Sequence, residues 1–347
     1  MTANSPVNDT IKQLAENVSK NPRTLWGDAW RRFKRHKLAI AGSITLFVFI
    51  VTVLVGPMLW RVNRDALDFV NTMSAPYFAY PAENAEYCAQ QEQMKAESGI
   101  DPMTESFVDP MCIYHPFGSD ELGRDQFARA LYGGRISLSV GFTAMLIAVS
   151  LGALIGSVSG YFGGAVDEVL SFITNLFLSL PTLPLLLLTV YLFRDSVTAT
   201  LGLEFGMFTI VVTMVGVLAW MSTARIVRAA FISLKQKEFV EAAVCVGVSR
   251  WGIMFRHILP NAMSPIIVAA TLEVGSAILS ESTLSFLGIG FPPDTPTWGR
   301  LVTDGSQYLQ TSPHLSMIPA ALIFFTVLSI NFIGDGLRDA LDPRSRL

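Results

Sequence analysis

The sequence predicts an all-α membrane protein with six transmembrane helices. Its composition differs from that of a soluble domain, since 51% of the 347 residues are hydrophobic and only 15% are charged. A helix that crosses a hydrocarbon core of about 30 Å needs roughly 20 mainly apolar residues. Five runs of this kind contain no charged residue and a sixth contains only two glutamates: 38–60, 136–162, 169–193, 205–224, 315–334 and, with the glutamates, 258–287.

Lys and Arg residues predict which ends of the spans face the cytoplasm. The basic cluster RRFKRHK, residues 31–37, precedes the first span, and the loop 223–257 carries six basic residues against two acidic ones. Both chain termini and this loop are therefore predicted to be cytoplasmic. The turn 163–168 departs from the rule, because it should be cytoplasmic but its only charged residues are the acidic Asp167 and Glu168.

The regions outside the spans have distinct compositions. In the cytoplasmic segment 1–37, the stretch LWGDAWRRFKRHK suits a helix that lies on an anionic membrane surface, and a basic flank with aromatic residues is the alternative. After the first span, 38–60, an external segment covers 61–135 and contains the amphipathic stretch GSDELGRDQFARALYGGR. A transmembrane core, 136–334, and a cytoplasmic tail, 335–347, complete the chain.

Two cysteines lie in the external segment. If the segment faces an oxidising space, Cys88 and Cys112 can form a disulfide, and otherwise they remain free thiols.

The part of the cytoplasmic loop at 235–257 is too patterned for a simple connector. A short helix is predicted over 235–245, in which Glu241 is followed by small residues that allow another surface to approach closely. Gly247 permits the turn that ends this helix, and Pro260 follows near the start of the next span. Between them, apolar residues recur at helical spacing: Trp251, Met254, Phe255 and Ile258. The loop is therefore predicted to be a helix-turn-helix docking surface.

The stretch EAAVCVGVSRWGIMFRHILPN resembles the EAA loop of ABC importer permeases, whose pattern is EAA, three residues, Gly, nine residues, then Ile-x-Leu-Pro. His257 stands in place of the pattern's Ile, and the residues in register are Glu241, Ala242, Ala243, Gly247, Leu259 and Pro260. HPFGSDELGRDQFARALYGGRISLSVG, SESTLSFLGIG, TWGRLVTDG and NFIGDGLRDALDPR are similar to the C-type permease of oligopeptide and dipeptide importers. The insertion at 68–112 is longer than this family leads us to expect.

The resemblance implies a subunit of a peptide importer in a bacterial inner membrane. Its implied partners are a second, B-type permease, two ATPase subunits, an external solute-binding protein and membrane lipids. It implies that the loop couples to an ATPase through Glu238, Glu241, Ala242, Ala243, Gly247, Arg250, Leu259 and Pro260. Since the chain has no GxxxxGK[ST] motif, ATP and Mg are expected on the partners. No enzyme activity, cofactor, metal site or nucleic-acid binding is predicted for this chain.

Three polar residues within the spans are candidates for the solute pathway. Glu273 is the strongest, because ionisable groups in a bilayer are costly, although a protonated or helix-paired packing role is the alternative. Glu281, nearer the outer end, is more suited to an external gate or an interface, and Asn175 lies in the third span.

Other solutes and other protein classes remain as alternatives. An importer of nickel or another small solute shares the motifs, and a channel or secondary transporter is the alternative outside the family. The chain shows no internal repeat, which disfavours the secondary transporter.

Overall fold

The computed structural model describes residues 25–60, 62–67, 72–76 and 115–341. Within these ranges the chain is helical, and six helical segments are long and apolar enough to cross a membrane: Lys37–Leu59, Gln126–Phe162, Thr182–Leu201, Leu203–Lys235, Arg250–Phe286 and His314–Leu341. The prediction of an all-α protein with six spans is confirmed. Cys88 and Cys112, most of the segment 61–114 and the last residues of the tail lie outside the described residues.

The two ends of the described chain pack together. Helix α1, Leu25–Phe33, precedes α2, Lys37–Leu59, which is the first span. His36 caps α2, because its Nδ1 accepts a hydrogen bond of 3.1 Å from the Ala39 amide. Ala29 and Phe33 of α1 are buried against Ala340, near the end of the last helix. The amphipathic helix is thereby fixed to the bundle through its apolar face.

The second span begins earlier than its apolar run. Helix α3 covers Gln126–Phe162, and Asp125 caps it by accepting a hydrogen bond of 2.7 Å from the Ala128 amide. The polar first turns were predicted to be part of the external segment. They join the helix because Arg129 is completely buried there and donates to the carbonyl of Pro293 at 3.2 Å.

The third predicted span consists of two helices. Helix α4 is Gly164–Ser179 and α5 is Thr182–Leu201. The break lies at Leu180, whose backbone is extended, because a residue before proline avoids the helical region. Pro184 falls in the first turn of α5, where its missing N–H costs nothing. Pro181 thus divides the run 169–193, which the sequence predicts to be one span, into two helices.

The remaining helices follow in antiparallel order through the membrane. Helices α6, Leu203–Val217, and α7, Trp220–Lys235, form one span, and α8, Glu238–Cys245, is the short helix of the loop. The chain returns through a joint at 250–262 into α9, Met263–Phe286. A short helix, α10, Trp298–Ser306, leads to the last span, α11, His314–Leu341.

Close packing of α3 on α7 forms the centre of the bundle. Gly152 lies against Trp220 and Thr223, Gly156 against Ala224, and Gly160 against Arg228 and Phe231. The contacts advance in the same direction along both helices, so the two helices are parallel. Small residues at this spacing let helix backbones approach closely in a membrane.

Candidate functional site

Helix α8 starts three residues later than the sequence predicted. Its first turn contains Glu238 and Glu241, whose negative charges suit a helix N-terminus. Lys235 remains at the end of α7, where its Nζ donates a hydrogen bond of 2.6 Å to the carbonyl of Tyr161. The two-residue turn that follows separates α7 from α8.

The end of α8 uses glycine as the sequence predicted. Gly247 has φ +81°, a left-handed conformation that other residues rarely adopt. The Val248 amide then donates to the carbonyl of Ala243 at 3.1 Å, and the Gly247 amide donates to that of Val244 at 2.9 Å. This turn reverses the chain toward the membrane.

The two faces of α8 have different surroundings. Val240 and Ala243 are buried with Phe231 of α7 and Met254 of the returning chain. The other face carries the exposed residues Glu238, Glu241, Ala242, Val244 and Cys245. Of the three EAA residues, therefore, the glutamate and the first alanine are accessible to a partner and the second alanine anchors the helix.

The joint between the loop and α9 contains three kinds of helix. Ser249 caps a single α-turn, Arg250–Gly252, which continues as a π-helix, Ile253–Ile258, and a 3-10 turn, Leu259–Ala262. The Leu259 amide donates to the carbonyl of Met254, five residues back. Pro260 lies in the 3-10 turn and has no amide hydrogen to extend the regular ladder. The π-helix was not predicted from the sequence, in which Pro260 was the available signal.

His257 contributes to the joint through its backbone. Its carbonyl accepts a hydrogen bond of 2.7 Å from Nδ2 of Asn261, and its side chain is partly exposed. Pro260 and Arg250 are exposed beside it, while Leu259 is half-buried. Of the predicted coupling residues in the joint, Arg250 and Pro260 are thus accessible, as is the exposed face of α8, whereas Leu259 is only partly accessible.

An ion pair accounts for the acidic turn between the second and third spans. Arg228 of α7 donates to Asp167 through Nε at 2.5 Å and Nη2 at 2.6 Å. Ser159 and Ser171 also donate to this carboxylate. The hydrogen bond from Arg228 holds the pKa of Asp167 well below its usual range, so the carboxylate stays charged and is neutralised by its partner.

A cleft of about 520 Å³ lies between α3, α4 and α7. It contains Asn175, one of the predicted pathway residues, whose Oδ1 accepts a hydrogen bond of 2.8 Å from Nη2 of Arg225. Arg228 lines the same cleft. The structure therefore places Asn175 beside Arg225 of α7, whereas the two glutamates both belong to α9.

Glu281 is completely buried and accepts hydrogen bonds from three hydroxyl groups. Ser137 of α3 donates at 3.2 Å, Ser285 of α9 at 2.9 Å and Thr297 at 2.7 Å. Thr297 in turn caps α10 by accepting from the Arg300 amide at 3.0 Å. Glu281 thus connects α3, α9 and α10 inside this chain.

Glu273 has a different environment on the same helix. It is partly exposed, and no hydrogen bond or ion pair reaches its carboxylate from the part of the chain that the structure describes. Two helical turns, about 12 Å, separate it from Glu281. Of the two glutamates, Glu273 has the carboxylate that can meet another molecule.

The amphipathic stretch and the motif TWGRLVTDG, residues 297–305, lie together at one end of the bundle. Asp120 pairs with Arg124 at 2.7 Å and lies 3.8 Å from the buried Arg129, whose Nη2 is 3.9 Å from Asp304. Asp304 also pairs with Arg300 at 2.8 Å. Burial raises the pKa of the Asp304 carboxyl, and Arg300, Arg129 and Arg124 oppose this change. Three charged residues of the amphipathic stretch, Asp120, Arg124 and Arg129, are thus paired within the bundle.

Among the described residues, no group of three His, Cys, Asp or Glu side chains lies close enough to hold a metal ion.

Comparison with known proteins gives two family matches. The family described as binding-protein-dependent transport system inner membrane component matches residues 152–347. The N-terminal TM domain of oligopeptide transport permease C matches residues 24–82.

Curated relatives match over nearly the whole chain. The oligopeptide transport system permease protein OppC of Haemophilus influenzae is 38% identical over 341 residues, which are 97% of this chain and 96% of the relative. The dipeptide transport system permease protein DppC of Alkalihalophilus pseudofirmus is 34% identical over 92% of this chain and 90% of its own length. A solved inward-facing structure of the MetNI methionine ABC transporter covers 60% of this chain and 94% of its own, with 20% identity and a TM-score of 0.46.

Proposed function

Since the chain belongs to the family of binding-protein-dependent transport system inner membrane components, we propose that it forms, with a second permease, the membrane pathway of an ABC importer for peptides. The proposed solute class rests on the relatives, which are named for oligopeptide and dipeptide transport and match along nearly their full length. The six spans provide one half of a pathway, and the second, B-type permease provides the other.

The proposed partners also include two ATPase subunits and an external solute-binding protein. In this assignment ATP and Mg bind to the ATPases, which hydrolyse the ATP, and this chain forms part of the pathway that the solute crosses. The family description, which names dependence on a binding protein, supports the external partner. The protein is placed in the inner membrane of a bacterium with both termini in the cytoplasm, which is supported by the basic residues next to the spans.

The observation that carries the mechanism is the division of α8 into two faces. We assign the exposed Glu241 and Ala242 to contact with an ATPase. Val240 and Ala243 lie in the same buried cluster as Phe231 of α7 and Ile258 of the joint. A displacement of α8 by an ATPase therefore acts directly on the spans α7 and α9. Such a rigid-body movement suits alternating access.

The three residues predicted to line the solute pathway receive different roles. We retain Glu273 as the group that meets a solute, because its carboxylate has no partner among the described residues and is partly exposed. Asn175 is retained at the cleft with Arg225. For Glu281, its three hydroxyl donors favour a structural role in joining α3, α9 and α10.

Charge reversal at the accessible face of α8 tests the coupling proposal. In the assembled importer, Glu241→Lys is expected to reduce both uptake and solute-stimulated ATP hydrolysis at least about tenfold, since a loss of about 1.4 kcal/mol at the contact has this effect. Glu168→Lys is the matched control, because Glu168 is exposed near the start of α4 and belongs to no predicted contact.

Gly247→Ala provides a second, milder variant, because alanine is strained at φ +81°. It is expected to reduce coupling less than Glu241→Lys. If Glu241→Lys leaves both rates equal to those of the Glu168→Lys control, α8 does not carry the coupling.

A further inference from the structure

An apolar groove of about 620 Å³ runs between α1 and the first turns of α2. Its walls are formed by Trp30, Phe33, Ile40, Ile44 and Phe47. Phe33 is buried against the last span, whereas Trp30, Ile44 and Phe47 are more than half exposed. The groove is therefore open on the side that faces away from the bundle.

Positive charges lie at one end of the groove only. Lys34 lines it, with its Nζ 5.1 Å from the centre of the Trp30 ring. Arg31, Arg35 and Lys37 are exposed nearby. None of these four residues forms an ion pair within the described part of the chain. The basic end coincides with the membrane surface, because the first span begins at Lys37.

The order of these groups along the chain matches that of a phospholipid. The basic residues 31–37 come first, and the apolar wall from Ile40 to Phe47 then covers about 10 Å along α2. One leaflet of the hydrocarbon core is about 15 Å thick. We propose that this groove binds one anionic phospholipid, with its phosphate at Lys34 and the upper part of one acyl chain between Trp30 and Phe47.

A lipid fits the groove better than a protein segment does. The four exposed basic residues suit an anion at the membrane surface. Apart from Lys34, the described residues that line the groove are uncharged. Basic pockets beside transmembrane helices are suited to anionic lipid headgroups. Under the proposed orientation, the lipid belongs to the cytoplasmic leaflet, but the contacts themselves do not depend on the function proposed above.

Photo-crosslinking of a defined lipid tests the proposal. The intact importer is reconstituted in phosphatidylcholine vesicles that contain phosphatidylglycerol with a photoreactive acyl chain, and labelled residues are mapped by mass spectrometry. Label is expected on α1 and on 40–47 of α2, and unlabelled phosphatidylglycerol should compete at least about fivefold better than phosphatidylcholine. Equal competition by the two lipids, or a crosslink from these residues to the second permease instead of lipid, overturns the proposal.

Two matched pairs of variants locate the site. Ser43 lines the groove and Ala41 is exposed at a similar depth outside it. Ser43→Phe should fill the groove and reduce the label at least about fivefold, while Ala41→Phe should preserve it. Lys34→Gln should weaken the preference for phosphatidylglycerol, while Arg338→Gln, at an exposed position near the end of α11, should not. If Ser43→Phe prevents assembly, the competition measured on the unchanged importer still decides.

Discussion

Two glutamates of α9 show how one residue type can have opposite roles. Glu281 is completely buried, and its hydrogen-bond donors in the described part of the chain are three hydroxyl groups. Glu273 is partly exposed, and within the described ranges no side chain satisfies it. A carboxyl group inside a bilayer defaults to a functional hypothesis. These different surroundings favour the proposed pathway role for Glu273 and the proposed helix-joining role for Glu281.

Substitution of these glutamates should separate stability from transport. Glu281→Ala is expected to destabilise the fold by at least about 3 kcal/mol, because the lost buried acceptor leaves three hydroxyl donors unsatisfied at about 1–3 kcal/mol each. Glu281→Gln, which keeps one oxygen, should cost less. Glu273→Gln should leave the midpoint of thermal unfolding unchanged and reduce peptide uptake. The unfolding midpoint is measured on the purified importer in detergent, and peptide uptake is measured after reconstitution.

Two outcomes contradict these assignments. A normal unfolding midpoint for Glu281→Ala excludes the joining role, and unchanged uptake by Glu273→Gln excludes the pathway role.

At the level of helices, the glycine face of α3 determines how closely two spans approach. A Cβ atom at Gly152 would lie 2.7 Å from the carbonyl oxygen of Trp220, and one at Gly160 would lie 2.7 Å from that of Arg228. These distances are shorter than van der Waals contact. The backbones of α3 and α7 would have to separate to admit any side chain there.

Gly152→Ala is therefore expected to destabilise the importer by about 1–2 kcal/mol, because the strain of overpacking exceeds the gain in helix propensity. Gly275→Ala, in α9, is the matched control. Its added Cβ would lie 3.5 Å from Val327, an ordinary contact, so this variant should be neutral or slightly stabilising. The stability of both variants is measured by the midpoint of thermal unfolding. Equal midpoints would mean that α3 and α7 separate at little cost to admit the added methyl group.

At the level of the whole molecule, the pairing of Asp167 with Arg228 removes an objection to the proposed orientation. The turn 163–168 contains acidic residues where basic residues are expected on the cytoplasmic side. Arg228 comes from a different span and contacts Asp167 directly. The basic residue that this turn lacks in sequence is thus supplied by the fold.

Labelling of cysteines checks the orientation. In a Cys88→Ser, Cys112→Ser background, the exposed Cys245 of α8 should react with a membrane-impermeant maleimide only in inside-out vesicles. Asp294→Cys, at an exposed position between α9 and α10, should react only in right-side-out vesicles when Cys245 is replaced by Ser. Reaction of Cys245 from the outside would invert the topology.

Local sequence patterns were sufficient for the spans and for the turn at Gly247. They were insufficient at Arg129, because its burial depends on Asp304 and Pro293, which are distant in sequence. They also failed to show that Pro181 separates two helices, since a kink and a break follow the same residues. The inward direction of Ala243 was available from its spacing to Val240, which places both residues on one face of a helix.

The two faces of α8 also define how this subunit could be redirected to a different ATPase. Replacing the entire loop by that of another permease would remove Val240 and Ala243 from the core they share with α7 and the joint. A chimera that exchanges only the exposed positions Glu241, Ala242, Val244 and Cys245 keeps this core and changes the surface that would contact the ATPase. Under the coupling proposed for α8, a few substitutions on one side of this short helix would therefore change which ATPase the permease accepts.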